Sequence, residues 1–417
     1  MSVANEQRMK IIGFAEGVRG DSAGLVAVPM ILSSTAARGH NVILLVAGNP
    51  IPTGRDFIVA DPDQALARRQ GLGTFGMVSS KARTRWACSP SMLWRFSRLV
   101  RDADLVTLHS LYSFPVLAGH LLARYHRKPY GIWPHGVLAP VQRSIGVTKK
   151  YLYNKLFAKR ILQNASVIFY SAEGEREEAR CLGLSTPSVV IPDGFNPEAF
   201  ANLPERGRFR KRFLNDHTGP LVLFLARLHA KKGLDILIRA MKDVVAQRPE
   251  TRLAIVGPPD PMSFNKQVLQ WVEEAGIQAQ TVLPGVANAE MRLEAFADAD
   301  LYALPSHAEN FGFSVFEAMA CGLPVVVSDT LNYASEIAQA GAGFALPRTP
   351  ECFSAAILNL LNRPDLRREM GSQGRQFARR YSLEETGAKV ETTLQSILQR
   401  HPFPPELAPA MPTASQS

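Results

Sequence analysis

The stretch His307–Asp329, HAENFGFSVFEAMACGLPVVVSD, combines two carboxylates, a helix start and an apolar strand. Glu309 and Glu317 stand eight positions apart, and the residues between them, Asn310–Ser314, form the predicted helix start. The first N–H groups of a helix have no intrahelical partner and bind anions such as phosphate, while carboxylates accept hydrogen bonds from hydroxyl groups. The stretch therefore predicts a site for a ligand that carries phosphate and hydroxyl groups. The alternative is an acidic residue that complements the helix dipole, followed by a surface glutamate.

The same alternation of strand and helix continues on both sides of this stretch. Continuous apolar runs separated by helical patterns are typical of parallel sheets covered by helices on both faces. The sequence therefore predicts an α/β protein with two Rossmann-like, doubly wound units, whose ligands bind in the cleft beyond the C-terminal strand ends. Strands are predicted at Lys10–Ala15, Asn41–Ala47, Asp104–Ser110, Tyr130–Pro134, Ser166–Ser171, Ser188–Pro192, Leu221–Ala226, Arg252–Val256, Leu301–Leu304 and Pro324–Ser328. Helices are predicted at Ser22–Arg38, Leu234–Gln247, Ser263–Glu274, Ala289–Asp298 and Phe313–Ala320.

The domain boundary is predicted from length and from one charged segment. A chain of 417 residues is too long for one ordinary domain. Residues 201–219 are charged and lead into Gly219-Pro220, so we predict an N-terminal domain over 1–200 and a C-terminal domain over 201–381. The tail 401–417 is rich in Pro, Ala and Ser and is predicted to be disordered.

Composition narrows the class of protein but not the ligand. The net charge of +10 predicts an anionic partner, which could be nucleic acid, a membrane surface or a phosphorylated small molecule. The four cysteines lack CxxC spacing, which argues against a zinc site or a disulfide framework and favours a reducing compartment. Because no apolar run reaches the roughly 18–20 residues of a membrane span, and because the N-terminus lacks a signal-peptide core, we expect a cytoplasmic protein.

Two cations follow the first strand of the second unit. Arg227 and Lys232 stand five positions apart in ARLHAKKG, between a predicted strand and a predicted helix. A guanidinium and an ammonium at a strand end would neutralise a diphosphate leaving group. Two solvated loop cations would give the same pattern, but the position at the strand end favours the functional interpretation.

Two further motifs follow strands of the first unit. His135, in Trp133-Pro134-His135-Gly136, can contact a substrate or hold its own backbone. Gly24 closes the segment RGDSAG, whose two glycines permit a sharp turn and close approach of a phosphate or an acceptor. A structural histidine and a plain strand-to-helix turn remain alternatives, and the sequence contains no GxGxxG dinucleotide fingerprint.

Two basic runs lie in the first unit, at residues 81–101 and 142–160. In the second run, apolar residues recur on one helical face, which would suit a basic amphipathic helix on anionic lipid. A packed helix with a solvated basic face is the favoured alternative. No recognisable nucleic-acid-binding module is present, and we expect no nucleic-acid partner. The residues of the apolar face are Leu152, Tyr153, Leu156, Phe157 and Ile161.

Taken together, these motifs resemble the retaining glycosyltransferases of the family 4 type, which have the GT-B fold. The resemblance covers about residues 10–400, and its last three motifs together are highly specific. The matching segments are the turn around Gly24, PHG at Pro134–Gly136, IPDGFNPEAF at Ile191–Phe200, ARLHAKKGLDILIRAM at Ala226–Met241, AIVG at Ala254–Gly257, E-x7-E at Glu309–Glu317 with ACGLPVVVSD after it, and MGSQGRQFARRYSLEE at Met370–Glu385.

On the nucleotide side, the resemblance implies a role for each charged residue. Glu317 would bind the ribose hydroxyls, and Glu309 the hydroxyls of the donor sugar near the reacting carbon. Arg227 and Lys232 would hold the diphosphate. Backbone N–H groups around Phe311 and Gly312 would complete the sugar and phosphate site.

On the acceptor side, the resemblance implies that His135 and Gly24 face the acceptor and the transferring sugar. A helix over about 382–400 would cross back onto the N-terminal domain. Two departures from the family pattern fall in this domain. A frequent Gly-Gly is Ala23-Gly24 here, and the common Asn-Gly-x-Asp is Asp193-Gly194-Phe195-Asn196.

The implied reaction transfers a hexose from a nucleoside diphosphate sugar, UDP- or GDP-linked, with retention of anomeric configuration. No cofactor or metal is expected, because Arg227 and Lys232 would supply the positive charge; Asp61-Pro62-Asp63 matches an Asp-x-Asp metal signature only as a tripeptide. The acceptor would be a sugar or a lipid-linked sugar in surface polysaccharide, lipopolysaccharide or glycolipid synthesis at the inner face of the membrane. The alternatives are a GT-B-fold sugar-nucleotide epimerase and a non-catalytic basic protein that binds lipid or nucleic acid.

Overall fold

A computed structural model of the chain describes residues 8–16, 23–47, 74–80, 90–138, 153–259, 263–309 and 311–403. These residues form two compact units. One unit contains the chain up to Gly194 and again from Leu383, and the other contains Phe195–Ser382. The division at Gly194 precedes the predicted boundary at residue 200, and the charged segment 201–219 belongs to the second unit, where it contributes a short helix.

The first unit is built on a seven-stranded parallel sheet in the order β3-β2-β1-β4-β5-β6-β7. Its central strands are mostly apolar and almost entirely buried, as expected of a sheet covered on both faces. The strands are β1 Lys10–Glu16, β2 Asn41–Ala47, β3 Thr74–Ser80, β4 Leu105–His109, β5 Tyr130–Trp133, β6 Val167–Tyr170 and β7 Ser188–Val190. The α-helices of this part are α1 Ala23–Ala37, α2 Ser91–Arg95, α3 Ser97–Arg101, α4 Phe114–Tyr125, α5 Lys159–Gln163, preceded by a π-helical turn at Asn154–Ala158, and α6 Glu173–Ala179.

The second unit is built on a six-stranded parallel sheet in the order β10-β9-β8-β11-β12-β13. The chain order reverses between β8 and β11, so the loops after these two strands diverge from one edge and leave a crevice there. The strands are β8 Leu221–Leu225, β9 Arg252–Val256, β10 Thr281–Gly285, β11 Leu301–Leu304, β12 Val325–Ser328 and β13 Gly343–Leu346. The α-helices are α7 Arg208–Phe213, α8 Leu234–Gln247, α9 Phe264–Ala275, α10 Ala289–Asp298, α11 Phe313–Ala320, α12 Ala334–Gln339, α13 Pro350–Asn362 and α14 Pro364–Arg379.

The last helix, α15 Leu383–Gln399, returns to the first unit and packs on α1. A buried carboxylate anchors it: Glu391 contacts the Arg38 guanidinium and accepts a hydrogen bond at 2.7 Å from His40 Nε2. Gly387 lets the two helices approach closely, because a Cβ there would lie 2.9 Å from Ser34 Oγ.

The predicted fold class, two Rossmann-like units with parallel sheets, is confirmed by these two sheets. The sequence patterns missed three strands, β3, β10 and β13, and all three lie at an edge of a sheet. An edge strand has a neighbour on one side only and buries less apolar surface. In β10 every residue is partly exposed and Pro284 interrupts the run, so the apolar signal of a central strand is absent there.

Candidate functional site

The crevice between β8 and β11 brings together residues that stand almost eighty positions apart in sequence. After β8, the residues Ala230–Lys232 form a single 3-10 turn that ends at Gly233, with φ +68°. A Cβ at Gly233 would lie 2.1 Å from the carbonyl oxygen of Pro305, which follows β11. Only glycine therefore allows the two loops to approach this closely. The His307 N–H donates to the Lys231 carbonyl at 2.8 Å and fixes the same contact.

Lys232 and Glu309 form an ion pair at this crevice. The Lys232 ammonium donates to Glu309 Oε1, and the Ser306 hydroxyl donates to the same oxygen at 2.7 Å. The side chains of Lys232 and Glu309 are only 18% and 11% exposed. A pair this shielded from water is stronger than a surface ion pair. The structure therefore places two of the predicted catalytic residues in direct contact.

Arg227 lies in the same loop, between β8 and the turn, and is half-buried. The backbone around it is held to the loop after β9 by two hydrogen bonds, from Ala226 N to Val256 O at 3.1 Å and from Leu228 N to Pro258 O at 2.8 Å. Both predicted cations therefore lie in the loop that follows β8, the strand at the switch point of the sheet.

Glu317 lies on α11 and is only 8% exposed, so its interpretation as a surface glutamate is wrong. Its carboxylate accepts from the guanidinium of Arg292, which lies on α10. Sequence reasoning missed Arg292, because a single arginine in a helix carries no motif. Its Nε is buried and has no partner among the described residues.

The start of α11 is a left-handed cap with an aromatic anchor. Gly312 has φ +78°, and the helix begins at the next residue. The Phe311 ring is 3% exposed and stacks on Phe316 with centroids 4.2 Å apart. The side chain of Phe311 is therefore engaged in the core, and a contact of this residue with a ligand would come from its backbone. Asn310 lies outside the described residues.

In the first unit, His135 lies directly after β5 in a left-handed backbone turn. His135 has φ +52° and Gly136 has φ +77°. His135 Nε2 lies 3.3 Å from His109 Nδ1, and His109 Nε2 lies 3.2 Å from the hydroxyl of Thr107. Burial lowers the pKa of His135 to about 4 and lowers that of His109 as well, so both rings are neutral at pH 7. His135 Nδ1 has no partner among the described residues.

Two buried carboxylates that the sequence analysis did not select lie behind this turn. Glu175, on α6, accepts hydrogen bonds from the Gly136 N–H at 2.6 Å and from the Ser171 N–H at 2.8 Å. Asp193 is 2% exposed, and its pKa is raised to about 7 by burial and by the nearby Glu175 carboxylate. The only sequence signal for these two residues was the position of Asp193 in the family-like segment IPDGF.

The remaining predicted features are described in part. Gly24 lies in the first turn of α1, and residues 17–22 before it lie outside the described residues. Residues 81–89, residues 142–152 and the tail from residue 404 also lie outside the described residues. Of the apolar face predicted for the basic segment 142–160, Tyr153 and Ile161 are buried in the core and Leu156 is 42% exposed. In its described part this segment is a packed helix, and most of the apolar face is not available to a bilayer.

Two other features are absent from the described residues. None of their helices is both long enough and apolar enough to cross a membrane. Among the same residues, His, Cys, Asp and Glu nowhere gather in a group of three that could hold a metal ion.

Two family models match the chain. Residues 25–194 match the glycosyl transferase 4-like domain, and residues 205–377 match glycosyl transferases group 1. The first model falls in the unit that contains His135, and the second in the unit that contains the Lys232–Glu309 pair.

Several relatives share part or most of this length. A D-inositol 3-phosphate glycosyltransferase of Segniliparus rotundus is 31% identical over 50% of this chain and 47% of its own length. The chain thus spans about half of that relative. The GDP-mannose-dependent alpha-(1-6)-phosphatidylinositol monomannoside mannosyltransferase of Mycolicibacterium smegmatis is 28% identical over 69% of this chain and 76% of its own length. The phosphatidyl-myo-inositol mannosyltransferase of Mycobacterium leprae is 24% identical over 87% of this chain and 89% of its own length.

Solved structures show the same fold. Anabaena HepE in complex with UDP and glucose has a TM-score of 0.73 and 18% identity over 93% of this chain and 100% of its own. WaaG, a glycosyltransferase involved in lipopolysaccharide biosynthesis, has a TM-score of 0.63 and 18% identity over 92% of this chain and 98% of its own. With both family models and the two parallel sheets in agreement, the chain belongs to the glycosyltransferases of the family 4 type, with the GT-B fold.

Proposed function

We propose that this glycosyltransferase transfers a hexose from a nucleoside diphosphate sugar to a sugar or lipid-linked acceptor, with retention of anomeric configuration. The observation that carries the proposal is the Lys232–Glu309 pair in the crevice between β8 and β11. There an ammonium that would hold the leaving phosphate lies beside a carboxylate that would accept hydrogen bonds from sugar hydroxyls, at the position where such sheets bind nucleotides.

The ion pair has a clear consequence for donor binding. Without donor, Glu309 neutralises the Lys232 ammonium. A diphosphate carries more negative charge than one carboxylate and would draw the ammonium toward itself. Glu309 is then left to accept hydrogen bonds from the donor-sugar hydroxyls, while Ser306 continues to orient it. Arg227, in the same loop, would add the second positive charge on the diphosphate.

The nucleoside would lie on the Glu317 side of the crevice. A carboxylate accepts from two vicinal hydroxyls, which are the groups that a ribose offers. Arg292 holds this carboxylate in one orientation before the ligand binds. Preorganisation of this kind lowers the ordering cost of binding. The N–H groups at the start of α11, after Gly312, would donate to a phosphate oxygen.

In the proposed reaction the bond between the anomeric carbon and the β-phosphate oxygen breaks, and the acceptor oxygen bonds to the same face of that carbon. The proton of the acceptor hydroxyl passes to the departing phosphate oxygen. The charge that develops on the leaving diphosphate is stabilised by Arg227 and Lys232, and this stabilisation is realised in the transition state. We propose that the side chains supply this charge without a metal ion.

The donor and acceptor are proposed from the relatives. Mycobacterial relatives are named as GDP-mannose-dependent or phosphatidylinositol mannosyltransferases, and HepE was crystallised with UDP and glucose. We therefore propose a UDP- or GDP-hexose as donor. The acceptor proposed is an inositol-, lipid- or saccharide-linked hydroxyl used in glycolipid or surface polysaccharide synthesis.

A panel of UDP-, GDP- and ADP-sugars tests the proposal, with release of the nucleoside diphosphate measured in the presence and absence of saccharide and phosphatidylinositol acceptors. We expect acceptor-dependent release with at least one donor, a product with retained configuration by NMR, and unchanged turnover in EDTA. No binding or turnover with any donor would contradict the proposal. Conversion of a free sugar nucleotide without acceptor would indicate an epimerase instead.

A further inference from the structure

A buried carboxylate lies behind the turn that carries His135. Glu175 is 3% exposed and lies on α6, which follows β6. It accepts three hydrogen bonds: from the Gly136 N–H at 2.6 Å, the Ser171 N–H at 2.8 Å and the Ser171 hydroxyl at 3.0 Å. One side chain thus ties the loop after β5 to the end of β6.

The turn after β5 requires such an acceptor. His135 and Gly136 both adopt left-handed backbone conformations, with φ +52° and +77°. A non-glycine residue adopts this conformation at a cost, and it persists only where surrounding contacts hold it. An N–H group in such a turn points away from the ladder of the sheet and needs a partner when it is buried. For Gly136 that partner is Glu175 Oε1.

Burial and hydrogen bonding act in opposite directions on the pKa of Glu175. Three donors point at its two oxygens, and a carboxylate that receives several N–H and O–H bonds is stabilised in its ionised form. These bonds lower the pKa of Glu175, while burial raises it more strongly. The adjacent Asp193 has one carboxyl oxygen without a partner among the described residues. Two neighbouring buried acids do not both ionise readily, and the pKa of Asp193 is raised to about 7 by burial and by the Glu175 carboxylate.

We propose that Glu175 is a positioning residue for His135. By accepting the Gly136 N–H it fixes the left-handed turn. The turn holds the His135 ring against His109, with centroids 5.6 Å apart, and leaves His135 Nδ1 without a partner among the described residues. The proposal rests on the proposed function in one respect, which is that this imidazole meets the acceptor and the transferring sugar.

The test compares Glu175→Gln with Glu177→Gln in the full-length protein. Glutamine keeps the shape of Glu175, but its amide has one acceptor oxygen and turns N–H donors toward groups that are donors themselves. Glu177 is an exposed glutamate on the same helix and serves as the matched control. We expect Glu175→Gln to lower kcat by roughly 10- to 100-fold, the scale of a misplaced reactive group. The KM for the donor should stay within about threefold, because ground-state binding is not removed.

A spectroscopic readout separates positioning from general destabilisation. The imidazole ¹⁵N and ¹H signals of His135, assigned with a His135→Gln variant, should shift in Glu175→Gln and stay unchanged in Glu177→Gln. Unchanged His135 signals with wild-type kcat would overturn the proposal. A lower unfolding temperature with unchanged kcat and unchanged His135 signals would show a purely structural residue and would overturn it equally.

A measurement on the wild-type protein covers the case in which Glu175→Gln does not fold. If Glu175 holds the turn, the Gly136 amide proton should exchange slowly with deuterium; exchange at the rate of an open loop would contradict the proposal. The proposed function and this inference fail separately. A wild-type protein without transferase activity would contradict the proposed function, while the imidazole signals and the amide exchange would still test the positioning role of Glu175.

Discussion

Arg292 on α10 donates to the carboxylate of Glu317 on α11, and the pair joins a side chain that is 35% exposed to one that is 11% exposed. A carboxylate this buried is stable only when it is paired and hydrogen-bonded. The arginine therefore fixes the orientation of Glu317 before any ligand is present. Two acids eight positions apart thus have different partners, since Glu309 is paired with Lys232.

The different partners predict different kinetic effects for the two acids. Glu317→Gln should raise the KM for the donor, because it removes an acceptor for hydroxyls that are bound in ground state and transition state alike. Glu309→Gln should lower kcat, because the proposed contacts of Glu309 with sugar hydroxyls would lie near the reacting carbon. The Glu317 change should weaken donor binding, and the Glu309 change should raise the activation barrier, each by about 1.5–3 kcal/mol, the scale of a hydrogen bond to a charged group. Steady-state kinetics and donor binding by calorimetry measure both effects, and equal effects on kcat and KM in both variants would refute the division of roles.

Arg292→Met should reproduce the binding defect of Glu317→Gln. The methionine removes the cation and leaves the Glu317 carboxylate buried without its partner, which should also destabilise the protein by about 1–3 kcal/mol. The double variant Arg292→Met/Glu317→Gln should be less defective than the sum of the two single variants, because both act on one interaction. Arg239→Met, at an exposed position of α8, is the control. Additive losses in donor affinity would show that Arg292 acts independently of Glu317.

Arg227→Ala and Lys232→Ala should each raise the activation barrier by about 2–4 kcal/mol, the scale of losing one preorganised donor to developing charge. The loss should appear mainly in kcat with the natural donor, and it should be smaller with a donor whose leaving group needs less stabilisation. Lys231→Ala removes an exposed cation from the same turn and is expected to retain activity. Full activity of either Arg227→Ala or Lys232→Ala would contradict the diphosphate role.

Gly233→Ala should disrupt the crevice through backbone geometry rather than charge. The new Cβ would meet the Pro305 carbonyl at 2.1 Å in a residue with φ +68°, so the two loops must separate. Gly276 has nearly the same φ, +70°, but nothing within 4 Å of its Cβ position. Gly276→Ala should cost only the roughly 1–2 kcal/mol of the left-handed conformation, while Gly233→Ala should cost more and weaken donor binding as well. Equal unfolding temperatures and equal donor affinities in the two variants would contradict the steric argument.

The central strands and the strand-end motifs could be predicted from sequence because burial on both faces demands continuous apolar runs. The last helix, which the family resemblance implied over about 382–400, is α15 Leu383–Gln399. The edge strands β3, β10 and β13 were missed, and in β10 every residue is partly exposed.

Arg292 and Glu175 could not be predicted for a different reason. Arg292 meets an acid 25 positions away, and Glu175 meets the backbone of Gly136 39 positions away. Neither contact has a local spacing rule, because each depends on which helices and loops the sheet order makes neighbours. Charged residues at a strand end can be found from sequence, whereas the residues that orient them emerge only from the packing.

Asp193→Asn should make the stability of the first unit less dependent on pH. The ordinary pKa of an aspartic acid side chain is 3.8. Burial and the Glu175 carboxylate raise the pKa of Asp193 to about 7 in the folded protein. The folded state therefore holds the proton more tightly, so the wild-type protein loses stability as pH rises from about 4 to 7 and is level above that. At about 1.4 kcal/mol for each pKa unit, the loss in the free energy of unfolding at pH 8 is about 4 kcal/mol. Asparagine never ionises, so the variant does not lose this stability.

Urea unfolding followed by tryptophan fluorescence measures the free energy of unfolding in a Trp271→Phe background, where every remaining tryptophan lies in the unit of Asp193. The stability difference between Asp193→Asn and wild type should grow between pH 4 and 7, whereas Asp243→Asn, at an exposed position of α8, should show no such trend. A difference that is constant across this range would mean that Asp193 is ionised in the folded protein, and the protonated acid beside Glu175 would have to be abandoned.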